Sequence, residues 1–150
     1  MKRKFGDRRD GRRIRDVDGL HNIMMHLMPK RTESEVYMEF PLDVTELLTF
    51  IQQKNQEHPE YKTTVFHCIV AALARVITMR PNLNRFICGR KLYERDEITI
   101  SFVAKRKFQD HAEESLMVVT AREDTCLDAI TKKIVGDVHE LRESTGSNDF

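Results

Sequence analysis

The stretch 63–108, TTVFHCIVAALARVITMRPNLNRFICGRKLYERDEITISFVAKRKF, constrains this chain more than any other, because its first half is a helix that is apolar on nearly every side. Val65, Ile69, Ala72, Leu73, Val76 and Ile77 share one helical stripe, while Phe66, Val70 and Ala71 fill much of the remaining circumference. A helix of this kind has to be covered on more than one side. Its ends are well marked. Thr63 or Thr64 is placed to cap the start by accepting a backbone N–H bond, and Pro81 stops the helix because proline has no donor and restricts Arg80 before it.

Strands succeed this helix. Phe86 to Cys88 and Leu92-Tyr93 flank Gly89-Arg90-Lys91, a hairpin-like turn in which Gly89 supplies positive φ. Ile98, Ile100, Phe102 and Ala104 alternate with Thr99, Ser101 and Val103, the clearest strand pattern in the chain, and 116–120 is a second short strand. Thr125 with Asp128 opens a last helix in which Leu127, Ile130, Ile134, Val138 and Leu141 recur at helical spacing.

Upstream, 17–28 places Leu20, Ile23, Met24, Leu27 and Met28 near one face of a short helix ended by Pro29, a methionine-rich stripe of the kind that fills cores or interfaces. Residues 35–42 alternate, with Val36, Met38, Phe40 and Leu42 against Glu35, Tyr37 and Glu39, the period of a strand with one buried face. Asp43 and Glu46 then form a capping box for a helix over 44–55 whose Val44, Leu47, Leu48 and Ile51 face inward. Helices and strands do not alternate strictly, so the order favours a two-layer α/β sandwich, a mixed sheet covered by helices, over a doubly wound fold.

At 150 residues the chain is long enough for one domain with a real core, and its 25 basic and 24 acidic side chains nearly cancel. The charge is unevenly spread. Residues 1–15 hold eight basic side chains against Asp7 and Asp10, which leaves the other 135 residues net acidic. The sequence therefore divides into a basic flexible arm at 1–16, a folded body at 17–143 and a frayed tail at 144–150. The arm lacks the interleaved aromatics of a base-stacking surface, so nucleic acid is not the expected partner. Cys68, Cys88 and Cys126 are odd in number and show no CxxC spacing, which fits reduced thiols in a cytoplasmic protein. No apolar run reaches the roughly 18 to 20 residues that span a bilayer, and no secretory leader is visible.

Local motifs yield no active site. His21 and His26 lie five apart, on different helical faces; His67 and Cys68 are adjacent and diverge; His58, His111 and His139 have no convergent carboxylate visible in the sequence. No metal site is expected. Neither a GxSxG elbow nor a GxGxxG or GxxxxGK[ST] phosphate loop occurs, Ser101 lies within a strand, and Cys68 on an apolar helix is an inert thiol.

Two pieces resemble a known family. FPLDVTELLTFIQQKN, a strand entering an Asp-Val-Thr helix start at Asp43 to Thr45, and TVFHCIVAALARVITMRPNLNRFICGRKLYERDEITISFVAKRKF, with its Arg80 to Asn84 turn, resemble the catalytic domain shared by chloramphenicol acetyltransferase and the dihydrolipoyl acyltransferases of 2-oxoacid dehydrogenase complexes. The likeness continues more weakly to about Arg142. It implies an α/β fold assembled as a homotrimer, with active sites in channels at the subunit interfaces. There a histidine acts as general base on a thiol or hydroxyl acceptor, and coenzyme A serves as acyl carrier. The family's histidine lies in an HxxxDG motif, and no histidine here is followed by Asp-Gly four residues later; the Asp-Gly pairs are Asp10-Gly11 and Asp18-Gly19. The resemblance therefore implies the N-terminal portion of an acyltransferase domain, incomplete at its C-terminus, as a fragment or a truncated gene product, with no catalytic residue assigned. It implies no lipoyl site either, since the sequence has no Asp-Lys-Ala. The alternative is a non-catalytic scaffold that acts by oligomerisation or interaction.

Overall fold

The computed structural model describes residues 3–107, 109, 111–122 and 124–143. Its elements in chain order are β1 (Gly11–Arg13), α1 (Gly19–Leu27), a 3₁₀ turn at Arg31–Glu33, α2 (Thr45–Glu57), α3 (Val65–Met79), a second 3₁₀ turn at Pro81–Asn84, β2 (Arg85–Cys88), β3 (Lys91–Arg95), β4 (Ile98–Lys105), β5 (Glu114–Ala121) and α4 (Leu127–Glu143). Helices and strands together make an α/β fold, and no single mixed sheet is seen among the described strands. Those described pair in two small antiparallel sheets, ordered β1-β3-β2 and β4-β5. Phe108, at the end of the organising stretch, and the tail at 144–150 lie outside the described residues. The chain divides into two units, Met1–Leu42 with Met79–Glu97, and Asp43–Thr78 with Ile98–Phe150.

In the first unit β2 and β3 form the expected hairpin. Cys88 pairs with Lys91, so the turn is the two residues Gly89 and Arg90, at φ of 56° and 58°. Two successive positive φ angles match the twist of the flanking strands. Glycine takes this conformation freely, whereas Arg90 takes it at a steric cost. The basic stretch, read from sequence as a flexible arm, contributes an edge strand: Gly11 lies opposite Arg95, Arg12 opposite Glu94 and Arg13 opposite Tyr93, and the Ile14 N–H donates to the Leu92 carbonyl at 2.9 Å. Glycine at position 11 allows this approach. A Cβ there would stand 2.6 Å from the Glu94 carbonyl oxygen and 3.1 Å from the Phe86 ring. Phe86 stacks on the buried Tyr93, centroids 5.4 Å apart, and the Arg95 guanidinium lies 4.6 Å from the Phe86 centroid.

Two expectations fail in this unit. α1 forms, capped by Asp18 accepting from the His21 N–H, but its buried residue is Met25, while Leu20, Ile23, Met24 and Leu27 are exposed. Residues 35–42 join no strand, and Val36, Tyr37, Met38, Phe40 and Leu42 are 68 to 87% exposed. Alternation gives a segment two faces, but a strand also needs a neighbour to take its N–H and C=O groups, and none is described beside it.

The second unit holds the larger core: Val70, Ala74, Val119, Ala121, Ile130 and Ile134, with Ala71, Ile98, Ile100, Phe102 and Val138 packed against it. β4 and β5 pair in full register from Ile98↔Ala121 to Lys105↔Glu114, and β4 keeps the predicted alternation. α4 buries Ile130 and Ile134 as expected. α3, expected to be covered on more than one side, is buried on one. Its buried residues are His67, Val70 and Ala74, and the stripe containing Ile69, Leu73 and Val76 faces outward. A helix apolar all round carries no facial signal, and here the side with small Ala71 and Ala74 packs on the core. On α2 only Ile51 is buried, and Val44 and Leu48 are exposed.

The expected caps are built differently. Asp43 Oδ1 accepts from the Thr45 N–H and hydroxyl, but no return bond from Glu46 is described. At α3 the His67 Nδ1 accepts the Thr64 N–H at 3.2 Å, a cap supplied by the imidazole instead of a threonine hydroxyl. Thr125 Oγ1 accepts from the Arg122 N–H, and Asp128 bonds Lys54.

Candidate functional site

Within the second unit, the end of α2, the arch that leads to α3 and the N-terminal half of α4 line a partly open cavity of about 60 Å³. Its walls are Lys54, His58, Glu60, Tyr61, Thr63, Asp128, Thr131 and Lys132. The arch is held at its base by Asn55, whose Nδ2 donates to the Thr63 carbonyl at 2.9 Å while its Oδ1 accepts the Thr63 N–H at 2.7 Å. An amide side chain that both gives and accepts in this way replaces a backbone pair and fixes where α3 begins.

Across the cavity Lys54 Nζ stands 2.6 Å from Asp128 Oδ1. The Lys54 hydrogen bond holds the Asp128 carboxyl below its usual range against a smaller effect of burial, with further help from the nearby positive charges of Lys54, His58 and Lys132. Lys132 Nζ lies 5.4 Å from the Tyr61 ring centroid. Beyond Glu60 and Tyr61 the cavity adjoins an open groove along α4, about 820 Å³, lined by Glu60, Tyr61, Val135, Gly136, His139, Glu140 and Glu143. No atom lies near the position of a Cβ at Gly136, so the groove floor is open there.

The histidines prove to be differently placed from what spacing suggested. His58 lines the cavity near Asp128, and His139 Nδ1 lies 3.2 Å from Glu143 in the groove, so both have carboxylates beside them. The i,i+4 spacing of His139 and Glu143 on a helix was a readable signal for the second pair; nothing in the sequence joined His58 to Asp128. His67 is buried, and that burial lowers its pKa, so it stays neutral as the α3 cap. His21 pairs with Asp18, His26 Nδ1 donates to the Asn22 carbonyl, and His111 is exposed in a turn. Burial raises the Cys68 thiol, opposed by Lys54, and Ser101 sits opposite Val118 in β4. Among the described residues no histidine is hydrogen-bonded to a serine or cysteine side chain, and no three His, Cys, Asp or Glu groups gather for a metal ion.

In the first unit, the basic stretch spends several charges internally. Arg8 bonds Asp10 at 2.9 Å, Arg12 bonds Asp96 at 2.9 Å, and Arg95 approaches Asp10 at 3.8 Å. Among the described residues no helix is long and apolar enough to cross a membrane.

No protein-family model and no curated protein sequence matches the chain. A solved structure described as a probable dihydrolipoamide acetyltransferase from Listeria monocytogenes 4b F2365 is similar in fold, with a TM-score of 0.61 and 19% sequence identity over 95% of this chain. The match covers 59% of that protein, so this chain spans less than two thirds of its length. At this identity the likeness is one of fold.

Proposed function

We propose that the chain provides the scaffold of a coenzyme A-dependent acyltransferase of the chloramphenicol acetyltransferase and 2-oxoacid dehydrogenase type, working as a homotrimer. The observation that carries this reading is the fold likeness to a probable dihydrolipoamide acetyltransferase across nearly the whole chain. The Asp43-Val44-Thr45 helix start and the Arg80 to Asn84 turn, on which the family resemblance rests, support it independently. The sandwich arrangement of that family, its interface channels and coenzyme A as acyl carrier come with this proposal. The 150 residues hold no HxxxDG, so turnover by them alone would need a different base.

A second reading, a non-catalytic interaction scaffold, draws on one specific feature. Phe66, Ile69, Leu73 and Val76 on α3 are 41 to 51% exposed and follow a 3-4-3 spacing, the seam of a helix that packs on another surface.

Both are tested together by following thiol release from acetyl-coenzyme A with dihydrolipoamide as acceptor, alongside sedimentation velocity of the same sample. A trimer with which coenzyme A co-sediments supports the first reading, whether or not it turns over. A stable oligomer that neither binds coenzyme A nor turns over supports the second, and an inactive monomer overturns both.

A further inference from the structure

The basic stretch near the start of the chain presents one aromatic side chain to solvent, and the fold holds it there. Phe5 is 99% exposed, at the centre of a tight turn over residues 4–7. The Asp7 N–H closes this turn by donating to the Lys4 carbonyl at 3.1 Å, with Gly6 at φ 89° beside the ring. Asp7 Oδ2 accepts the Lys4 N–H at 2.8 Å, and its Oδ1 accepts the Arg13 N–H at 3.1 Å, at the end of β1. The Arg15 guanidinium donates to the Phe5 carbonyl at 2.6 Å. These bonds tie the turn to an edge strand that is itself paired with β3. One exposed apolar side chain is ordinary by itself; what distinguishes Phe5 is its setting.

That setting is cationic. Residues 3–16 hold seven basic side chains and three carboxylates. Asp10 is shared by Arg8 and Arg95, and Asp96 by Arg12 and Arg3, and one carboxylate balances only one of two guanidiniums. Asp7 faces the two amides inside the turn. Among the described residues Lys4, Arg9, Arg13 and Arg15 form no ion pair. The Arg3 guanidinium donates to the Arg9 carbonyl at 2.7 Å, and Arg13 Nη1 lies 3.9 Å from where a side chain at Gly6 would begin, which draws these charges to the turn that bears Phe5. A positive collar around a projecting ring suits an anionic surface. Single-stranded nucleic acid stacks on several aromatics laid along a groove, and here one ring stands at the apex of a turn. An acidic protein would need a pocket shaped to that ring. A bilayer interface accepts a projecting aromatic from any side, and its anionic headgroups attract lysine and arginine.

We propose that the turn at residues 4–7 is a contact for an anionic membrane surface, with Phe5 entering the headgroup boundary while Lys4, Arg9, Arg13 and Arg15 hold the turn against acidic phospholipids. The contact is peripheral, rests on the first unit alone and is independent of the acyltransferase reading.

The test is co-sedimentation of the full chain with vesicles of phosphatidylcholine, alone or with about one third phosphatidylserine, at low and at high salt. Binding that requires phosphatidylserine and weakens with salt is expected. Phe5→Ser should weaken it about ten-fold, the loss of one partly inserted aromatic side chain. Lys4→Gln combined with Arg9→Gln should weaken it about twenty-five-fold, or about five-fold for each charge. All three side chains are exposed, so these variants should melt with the native protein. The chain has no tryptophan, so Phe5→Trp introduces a single indole whose emission reads the contact directly. A blue shift on adding the anionic vesicles supports insertion, and an unshifted spectrum overturns it. Equal binding to both kinds of vesicle, no binding, or phosphatidylserine-dependent binding that Phe5→Ser leaves unchanged also overturns the proposal. So does tighter binding to a single-stranded oligonucleotide than to the vesicles, which would assign the turn to nucleic acid.

Discussion

Lys54 Nζ and Asp128 Oδ1 stand 2.6 Å apart, and this one ion pair ties the last turn of α2 to the first turn of α4. The Lys54 side chain is 17% exposed, so its charge is partly desolvated and its partner matters more than that of a surface lysine. Asp128 remains largely in water, which limits the worth of the pair. Because the folded protein lowers the Asp128 pKa from 3.8, the stabilisation is present above that value and is lost as pH falls through the lower folded value. Lys54→Met should cost up to about 1 kcal/mol at neutral pH. It should also flatten the acid limb of stability measured by urea unfolding below pH 4; an unchanged limb would show that the pair contributes nothing.

His67 gives a second pH dependence, at a higher range. Burial lowers its folded pKa from 6.5, so protonation favours the unfolded chain, and stability is lost as pH falls below about 6.5. His67→Gln should abolish the slope of unfolding free energy between pH 6.5 and 5. A slope of native size in that variant would assign it to another group.

Gly11 is predicted to accept no side chain. The Cβ of Gly11→Ala would meet the Glu94 carbonyl oxygen at 2.6 Å, a backbone atom that cannot move aside cheaply, so β1 should lift from β3 at a cost of about 1 to 3 kcal/mol. Gly89→Ala meets no atom and should cost only about 1 kcal/mol, from its positive φ. Equal losses in the two variants, read by chemical denaturation, would contradict the close approach.

Ile130 is 1% exposed at the centre of the larger core. Ile130→Ala should cost about 2 to 5 kcal/mol through lost transfer energy and the cavity left behind. Calorimetry of this variant beside Ile87→Ala, an exposed strand residue expected to change little, measures the contrast.

The outward seam of α3 should respond in association more than in folding. Leu73→Glu places a charge on a half-exposed site, so the monomer should keep its stability while any oligomer weakens by about ten-fold or more. Sedimentation over a concentration series checks this, and an unaltered association constant would remove the seam from the interface.

Much of the local structure was legible. The β2–β3 turn, the β4 alternation, the Ile130, Ile134 and Val138 face of α4, and Pro81 at the end of α3 all obey short-range rules that act within a few residues. The errors share one cause. The stripe read as inward on α2, the methionine-rich stripe of α1 and one side of the all-round apolar α3 are exposed over much of their length, and the alternating segment at 35–42 has no described strand partner, because periodicity identifies a face without saying what will cover it.

Caps, prolines, glycines and hydrophobic period act locally, so the order of residues was enough to mark most helix and strand boundaries, and it also shows that no HxxxDG motif is present. Packing in three dimensions was needed to choose which side of α3 meets the core, to add Gly11–Arg13 as a strand beside β3, and to bring Lys54, His58, Asp128 and Thr131 around one cavity. Those outcomes depend on residues far apart in the chain competing for the same neighbours, and no window along the sequence contains that competition.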